Sequence, residues 1–205
     1  VGGRVTARET GLVDPGRPIP AAATRVHGIT SERARAEGRP LAEAVAVLAA
    51  ALVDASDRGV PVAGMKLDYD LTILDVQCRL ADGRGLEARG FGAPVLDVLV
   101  LDRHFDRFRK GRRTLGDLCA HYDVAIANAH DAAADAEATV DVLAAMCGRF
   151  PELRGGDPAV LHRSQVDWHR EWATSYDEWR RGQGMPPLDP REYHWPLGVE
   201  APAAA

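Results

Sequence analysis

The sequence predicts an α/β domain with a mixed sheet, followed by a C-terminal helical extension. Three observations carry this reading. Short apolar runs alternate with segments of helical periodicity. Turn formers separate them, as at Asp14-Pro15-Gly16-Arg17-Pro18. Beyond a stretch at 150–157 with Pro and Gly, a long segment places Trp168, Trp172 and Trp179 at near-helical spacing.

The elements follow in order. Val1 to Val13 alternates loosely and reads as a strand and hairpin remnant. Ala21 to Thr30 leads into a loop at His27-Gly28-Ile29-Thr30, where Thr30 or Ser31 caps a short helix. Leu41, Val45, Leu48 and Leu52 keep helical spacing up to a stop at Gly59. Val60 to Met65 is a short apolar strand, and Asp70 to Leu80 is a helix with Leu71, Leu74 and Cys78 on one side. Gly83 to Gly92 reads as a flexible charged loop. Val95 to Leu101 is an apolar run of the buried-strand type, interrupted by Asp97. Leu115 to Tyr122 is a short helix. Asp131 to Cys147 is a longer one, expected to face inward with Val140, Leu143 and Cys147. Asp157-Pro158 is a good cap and first-turn pair for the last helix. That helix is expected to dock through Leu161, Gln165, Trp168, Trp172 and Trp179. Its aromatics are read mainly as packing residues, with base stacking as the alternative. Gly182 to Ala205 is rich in Pro and Gly and is expected to be partly irregular. The domain division is therefore 1–150 for the α/β domain and 151–205 for the extension and tail.

Composition narrows the function classes. The 205 residues are 46% hydrophobic and 27% charged, which is ordinary for a soluble globular protein. The net charge of -5 argues against a generic basic nucleic-acid coat but leaves room for a local basic groove. Cys78, Cys119 and Cys147 form no CxxC pair, so neither a disulfide framework nor a zinc site is expected, and a cytoplasmic location fits. No apolar run reaches about 18 residues, so no membrane span is expected. The chain opens on Val1 without an initiator Met, which points to a fragment, a trimmed piece or a processed product.

The most informative stretch is Ala129-His130-Asp131-Ala132-Ala133-Ala134-Asp135, at the mouth of an alanine-rich helix. A histidine titrates near neutral pH and can deprotonate water. An aspartate offers hard oxygen ligands for magnesium or manganese. Asp70 adds a second such carboxylate where a strand gives way to a helix, the usual place for sites in α/β folds. Taken singly, each of these acids is an ordinary helix cap or dipole partner.

Three stretches in this order resemble the DEDDh 3'-5' exonucleases, a family similar to the proofreading epsilon subunit of bacterial DNA polymerase III. They are Leu12 to Pro20 leading to Val26-His27-Gly28-Ile29-Thr30, then Tyr69-Asp70-Leu71-Thr72-Ile73-Leu74, then Ala129 to Ala136. The resemblance implies a ribonuclease H-like mixed sheet flanked by helices and truncated at its N-terminus. It implies two Mg2+ or Mn2+ ions in the complete site, held by four carboxylates that include Asp70 and Asp135, with His130 as general base. His27, Gly28 and Ile29 would line the approach of the terminal nucleotide. The implied substrates are single-stranded or frayed 3' ends of DNA, with RNA as an option, and a DNA polymerase subunit is an implied partner.

Two departures accompany the resemblance. The family's first motif, an Asp-x-Glu, is expected upstream of Val1. Arg8-Glu9-Thr10-Gly11 imitates part of it, but Ala7 stands where the Asp belongs. Residues 1–205 alone are therefore expected to be weak or inactive. Lys66 stands where the family usually has Asn, and is read as a substrate or carboxylate neutraliser or as a mark of site decay. The run from Arg103 to Arg113 is the best local basic patch, with Arg109 and Lys110 as candidate phosphate contacts. The alternative function is a non-catalytic nucleic-acid-binding or polymerase-associated module. A one-metal hydrolase is disfavoured because no soft-ligand spacing accompanies His130.

Overall fold

A computed structural model describes residues 5–126 and 131–198 of the chain. In chain order it contains β1 (Val13–Asp14), α1 (Ala21–His27), α2 (Ser31–Glu37), β2 (Arg39–Pro40), α3 (Leu41–Asp57) and β3 (Val62–Gly64). These are followed by α4 (Leu67–Asp82), a 3-10 turn at Glu87–Arg89, β4 (Val95–Asp97), α5 (Val98–Phe105) and α6 (Leu115–His121). The rest is α7 (Ala132–Arg149), α8 (Pro151–Arg154), α9 (Pro158–Gly182) and a 3-10 turn at Pro190–Tyr193. The α/β class holds, with more helix than strand.

β3 and β4 form the centre. They pair in parallel, Val62 with Val95, Ala63 with Leu96 and Gly64 with Asp97, and α4 is the crossover between them. Alternation along β4 sends Val95 into one apolar cluster and Leu96 into another. The first cluster holds Val45 and Ala49 of α3 with Leu71 and Cys78 of α4. The second holds Leu118 of α6 with Val142 and Met146 of α7. Helices thus cover both faces. The second strand pair, β1 with β2, is also parallel. Among the described residues no antiparallel pair appears, so the mixed sheet is present only in its parallel part. Residues 5–12 take no regular element.

Several expected elements changed. The run from Val95 to Leu101 is not one strand. The Asp97 carboxylate accepts from the Leu99 amide at 2.8 Å and so caps α5, which turns the apolar run from strand into helix. α7 faces inward with Ala138, Thr139, Val142 and Met146, whereas Val140 is exposed. The segment Gly83 to Gly92 is tied down. The buried Asp75 carboxylate accepts from the Leu86 amide at 2.7 Å, and the Ser56 hydroxyl accepts from the amides of Gly92 and Ala93.

α9 is stitched to β4. The outer edge of a terminal strand leaves amides and carbonyls unpaired unless something covers them. Here the Gln165 Oε1 accepts from the Asp97 amide at 2.8 Å, its Nε2 donates to the Val95 carbonyl at 2.9 Å, and His162 Nδ1 accepts from the Val95 amide at 3.1 Å. The fully buried residues of α9 are Gln165, His169, Ala173 and Asp177, and Leu161, Val166 and Trp168 pack beside them on the two apolar clusters, so of the expected docking set Trp179 is the one that is exposed. No helix among the described residues is long and apolar enough to cross a membrane.

Past α9 the chain turns back. The buried Asp177 carboxylate accepts from the Leu188 amide at 2.6 Å and the Tyr193 hydroxyl at 2.7 Å and pairs with Arg181. These partners, the backbone amide first, hold its carboxyl below the usual carboxylate range. A lowered folded-state value means the stabilisation is complete above the ordinary carboxylate value and is lost as pH falls through the folded one. We expect Asp177→Asn to lower the melting temperature at pH 7 and to flatten the fall of stability on acidification below about pH 4. Paired melting curves at pH 7 and pH 3 check this, and an unchanged acid limb contradicts it.

Candidate active site

α4 leaves the C-terminal end of β3 through Lys66, whose backbone is left-handed (φ 61°, ψ 39°). The helix starts at Leu67, three residues earlier than expected, because the Asp97 carboxylate accepts from the Leu67 amide at 2.8 Å. One buried carboxylate therefore closes the N-termini of both α4 and α5. Asp70 falls at the end of the first turn of α4 and is exposed. Loss of water around its carboxyl pushes it up, and the charges of Asp68 and Asp97 act in the same direction. Asp68 is raised too, first by burial and then by Asp97, while His169 and Lys66 oppose the shift.

The left-handed backbone explains why asparagine suits the position of Lys66. Asn tolerates that region better than a long unbranched side chain. Lys66 instead places its ammonium 6.0 Å from the Tyr69 ring and lowers the carboxyls of Asp68 and Asp70. We expect Lys66→Asn to stabilise the fold by about 0.5–1 kcal/mol by relieving that conformation. Denaturant melts check it, and destabilisation contradicts it.

Asp135 lies in the first turn of α7, whose N-cap is Asp131. The Asp131 carboxylate accepts from the amides of Ala133 at 3.1 Å and Ala134 at 3.0 Å. Asp135 is half-buried and its charge helps to raise the Cys119 thiol, whose main cause is burial. α7 packs on β3, the strand that feeds α4. The two helices carrying Asp70 and Asp135 therefore share β3 as a neighbour. No hydrogen bond or ion pair among the described residues joins the two acids. His130 lies outside the described residues, as does Ala129.

The remaining expected site residues are dispersed. His27 ends α1, and its Nδ1 accepts from the Ile29 amide at 3.0 Å. Gly28 takes φ 73° as the helix cap, a left-handed geometry that favours glycine. The Thr24 hydroxyl donates to the Ile29 carbonyl at 3.0 Å. This loop is anchored on itself, and no hydrogen bond among the described residues ties it to Asp70 or Asp135. Arg109 is not open to substrate. Its guanidinium donates to Asp102 at 3.0 Å, its side chain is only 10% exposed, and burial beside a carboxylate accounts for its position. Lys110 is exposed. Glu9 is exposed and sits 4.0 Å from Arg39.

Asp68 and Asp97 act on Asp70, and Arg103 and His169 in turn act on Asp68; of these only Arg103, as the start of the basic run, carried an expected role. Arg103 is held down to about 10, chiefly by burial, with the charges of Asp97 and Asp68 opposing that shift. The Asp-x-Asp spacing of Asp68 and Asp70 was visible in the sequence. The long-range neighbours were not.

The family model described as Exonuclease (RNase_T) matches residues 2–143. The chain belongs to the exonuclease family. No curated protein matches it. Membership makes the chain a nuclease-type hydrolase domain of DEDDh type with nucleic acid as its substrate class, and the helix-rich α/β architecture agrees with a ribonuclease H-like domain. Exonucleases of this kind typically use divalent metals. The donors fit such an ion in kind, since Asp70 and Asp135 are hard oxygen ligands and Asp70 is crowded by like charge. Both oxygens of Asp97 are already taken by amides. Among the described residues no group of three or more potential ligands comes together. α8 and α9 lie beyond the matched residues.

Proposed function

We propose that this exonuclease domain belongs to a 3'-5' exonuclease that removes nucleotides from DNA ends, with Asp70 and Asp135 among its metal ligands and His130 as its general base. The observation that carries the reading is the position of Asp70. It is exposed at the end of the first turn of α4, with the charges of Asp68 and Asp97 acting on it, in the stretch Tyr69 to Leu74 that resembles the family's second motif. Two divalent ions, magnesium or manganese, would supply the positive charge that polarises the scissile phosphate and activates water.

The chain's own residues supply the rest. His130, at the entry to α7, takes the proton of the attacking water, and its titration range suits that task at neutral pH. Asp70 and Asp135 offer carboxylate oxygens as ligands. Lys66 offers a cation at the mouth of α4 for a phosphate oxygen. His27, Gly28 and Ile29 form a small pre-set loop against which the terminal nucleotide can rest, and Lys110 is a cation for the backbone. In this reading the family's Asp-x-Glu supplies the remaining carboxylates, the enzyme works in the cytoplasm, and a DNA polymerase subunit is a partner.

A second reading, a binding module that does not cleave, draws on Lys66, a resident cation beside the acids that would otherwise attract metal. One experiment separates the two. The product of the complete reading frame is incubated with magnesium and a 5'-labelled single-stranded DNA, either free or blocked at its 3' end. Stepwise shortening of the free strand and protection of the blocked one is expected. Binding without shortening supports the second reading, and shortening from the 5' end contradicts the first.

A further inference from the structure

α5 and α9 enclose a cleft of about 740 Å³ that the exonuclease chemistry above does not use. One wall is cationic, with Arg103, Arg107 and Arg112. The other is aromatic, with Trp168, Trp172 and Tyr176. We propose that this cleft binds single-stranded nucleic acid, its arginines against phosphates and its aromatic row against bases.

The aromatic row is the first reason. A helix that used tryptophans only for packing would turn them inward. α9 turns Gln165, His169, Ala173 and Asp177 inward instead. Trp168 is shared with the core, but the row then runs outward through half-buried Trp172 and Tyr176 to Trp179, which is 54% exposed. Trp172 stacks on Tyr176 at 5.2 Å and 16°, and Tyr176 on Trp179 at 5.7 Å and 13°. Trp168 is already stacked on His104 at 3.7 Å and 11° and Arg103 covers one face of Trp172, so the outer end of the row, Tyr176 and Trp179, is the surface it offers to bases.

Charge is the second. Arg107 and Arg112 are exposed, and among the described residues neither pairs with a carboxylate. The Arg103 guanidinium lies 3.5 Å from the Trp172 ring centroid, which preorganises cation and stacking surface together. Glu171 is the one carboxylate of the lining. His169 also lines the cleft, and its buried Nδ1 has no hydrogen-bond partner among the described residues.

Position is the third. Arg103 and His169 are within electrostatic reach of Asp68, next to Asp70. A strand whose 3' end sits at Asp70 would reach the cleft with its upstream nucleotides. This continuity rests on the proposed 3'-5' exonuclease reading. The binding itself does not.

The test measures affinity of the full chain for a fluorescent oligothymidylate, an oligouridylate and a DNA duplex by anisotropy, in EDTA so that nothing is cleaved. Tyr176→Ala and Arg107→Ala each remove one side chain of the lining, and unchanged melting curves show that both fold. Each is expected to weaken single-strand binding roughly fivefold to tenfold. Arg107→Ala should also flatten the salt slope by about 0.7. Binding of either single strand, lost in these variants, supports the cleft. Unchanged affinity in both variants, or a preference for duplex, overturns it. A protein that binds through the cleft but never cleaves contradicts the nuclease reading alone. One that cleaves while ignoring both substitutions contradicts the cleft alone.

Discussion

Replacing Asp102 with alanine is expected to cost about 3–5 kcal/mol of stability. Asp102 is fully buried in α5 and accepts from Arg109 at 3.0 Å, from Arg113, and from the Tyr122 hydroxyl at 2.8 Å. Two guanidiniums converge on this one carboxylate, and their side chains are only 10% and 16% exposed. The alanine variant leaves both cations buried without a counter-ion, and that penalty exceeds the net value of the pair itself. The Tyr122 hydroxyl, pushed up by burial and by this carboxylate, loses its acceptor as well. Arg113 further donates to the carbonyls of Asp102 and Asp106, so the network holds the whole turn from α5 to α6. The consequence reaches the cleft, because Arg107 and Arg112 are carried on that turn. Urea melts of the two proteins check the figure. A loss below about 1 kcal/mol contradicts this account of the loop.

The second large effect is on activity. Asp70→Asn and Asp135→Asn are each expected to reduce nucleotide release at least about a hundredfold, since removing a charged ligand forfeits about 3 kcal/mol of transition-state charge stabilisation. The amide keeps the size of the side chain, and Asp70 is exposed, so its variant is expected to melt within about 0.5 kcal/mol of the parent. For Asp70→Asn, stability should even improve slightly, because its carboxyl is raised first by loss of water and then by the charges of Asp68 and Asp97, and a neutral amide is freed of both. Loss of activity with retained stability separates a ligand from a structural acid. Equal loss of both contradicts the assignment.

These two acids show what was readable from sequence and what was not. The helices that carry Asp70 and Asp135 were legible from local signals, α7 through its Asp131 cap and α4 from three residues past its actual start at Leu67. Periodicity also placed α3, through Leu41 and Val45, although Leu48 of the same set faces outward. The Val95–Leu101 run misled because an apolar stretch reads alike as strand or helix. Only the role of Asp97 as a cap resolves it. The union of Asp97 with Leu67 and Gln165 spans 30 and 68 residues, and no local pattern encodes such separations. For the same reason Arg109 looked like an open cation until Asp102 was found beneath it. Helical spacing placed the tryptophans on α9 and Trp168 does pack on the core, but the buried polar residues beside it, Gln165 above all, answer to the edge of β4, which no local pattern encodes.

The most direct test of the central assignment follows release of nucleoside monophosphate from a 3'-end-labelled single-stranded DNA by the complete gene product, with and without magnesium, for the parent and for His130→Ala. Magnesium-dependent release by the parent that rises from acid to neutral pH is expected, with at least about a hundredfold slower release by His130→Ala and that rise abolished. Release by His130→Ala at the parental rate and with the parental pH profile would contradict it.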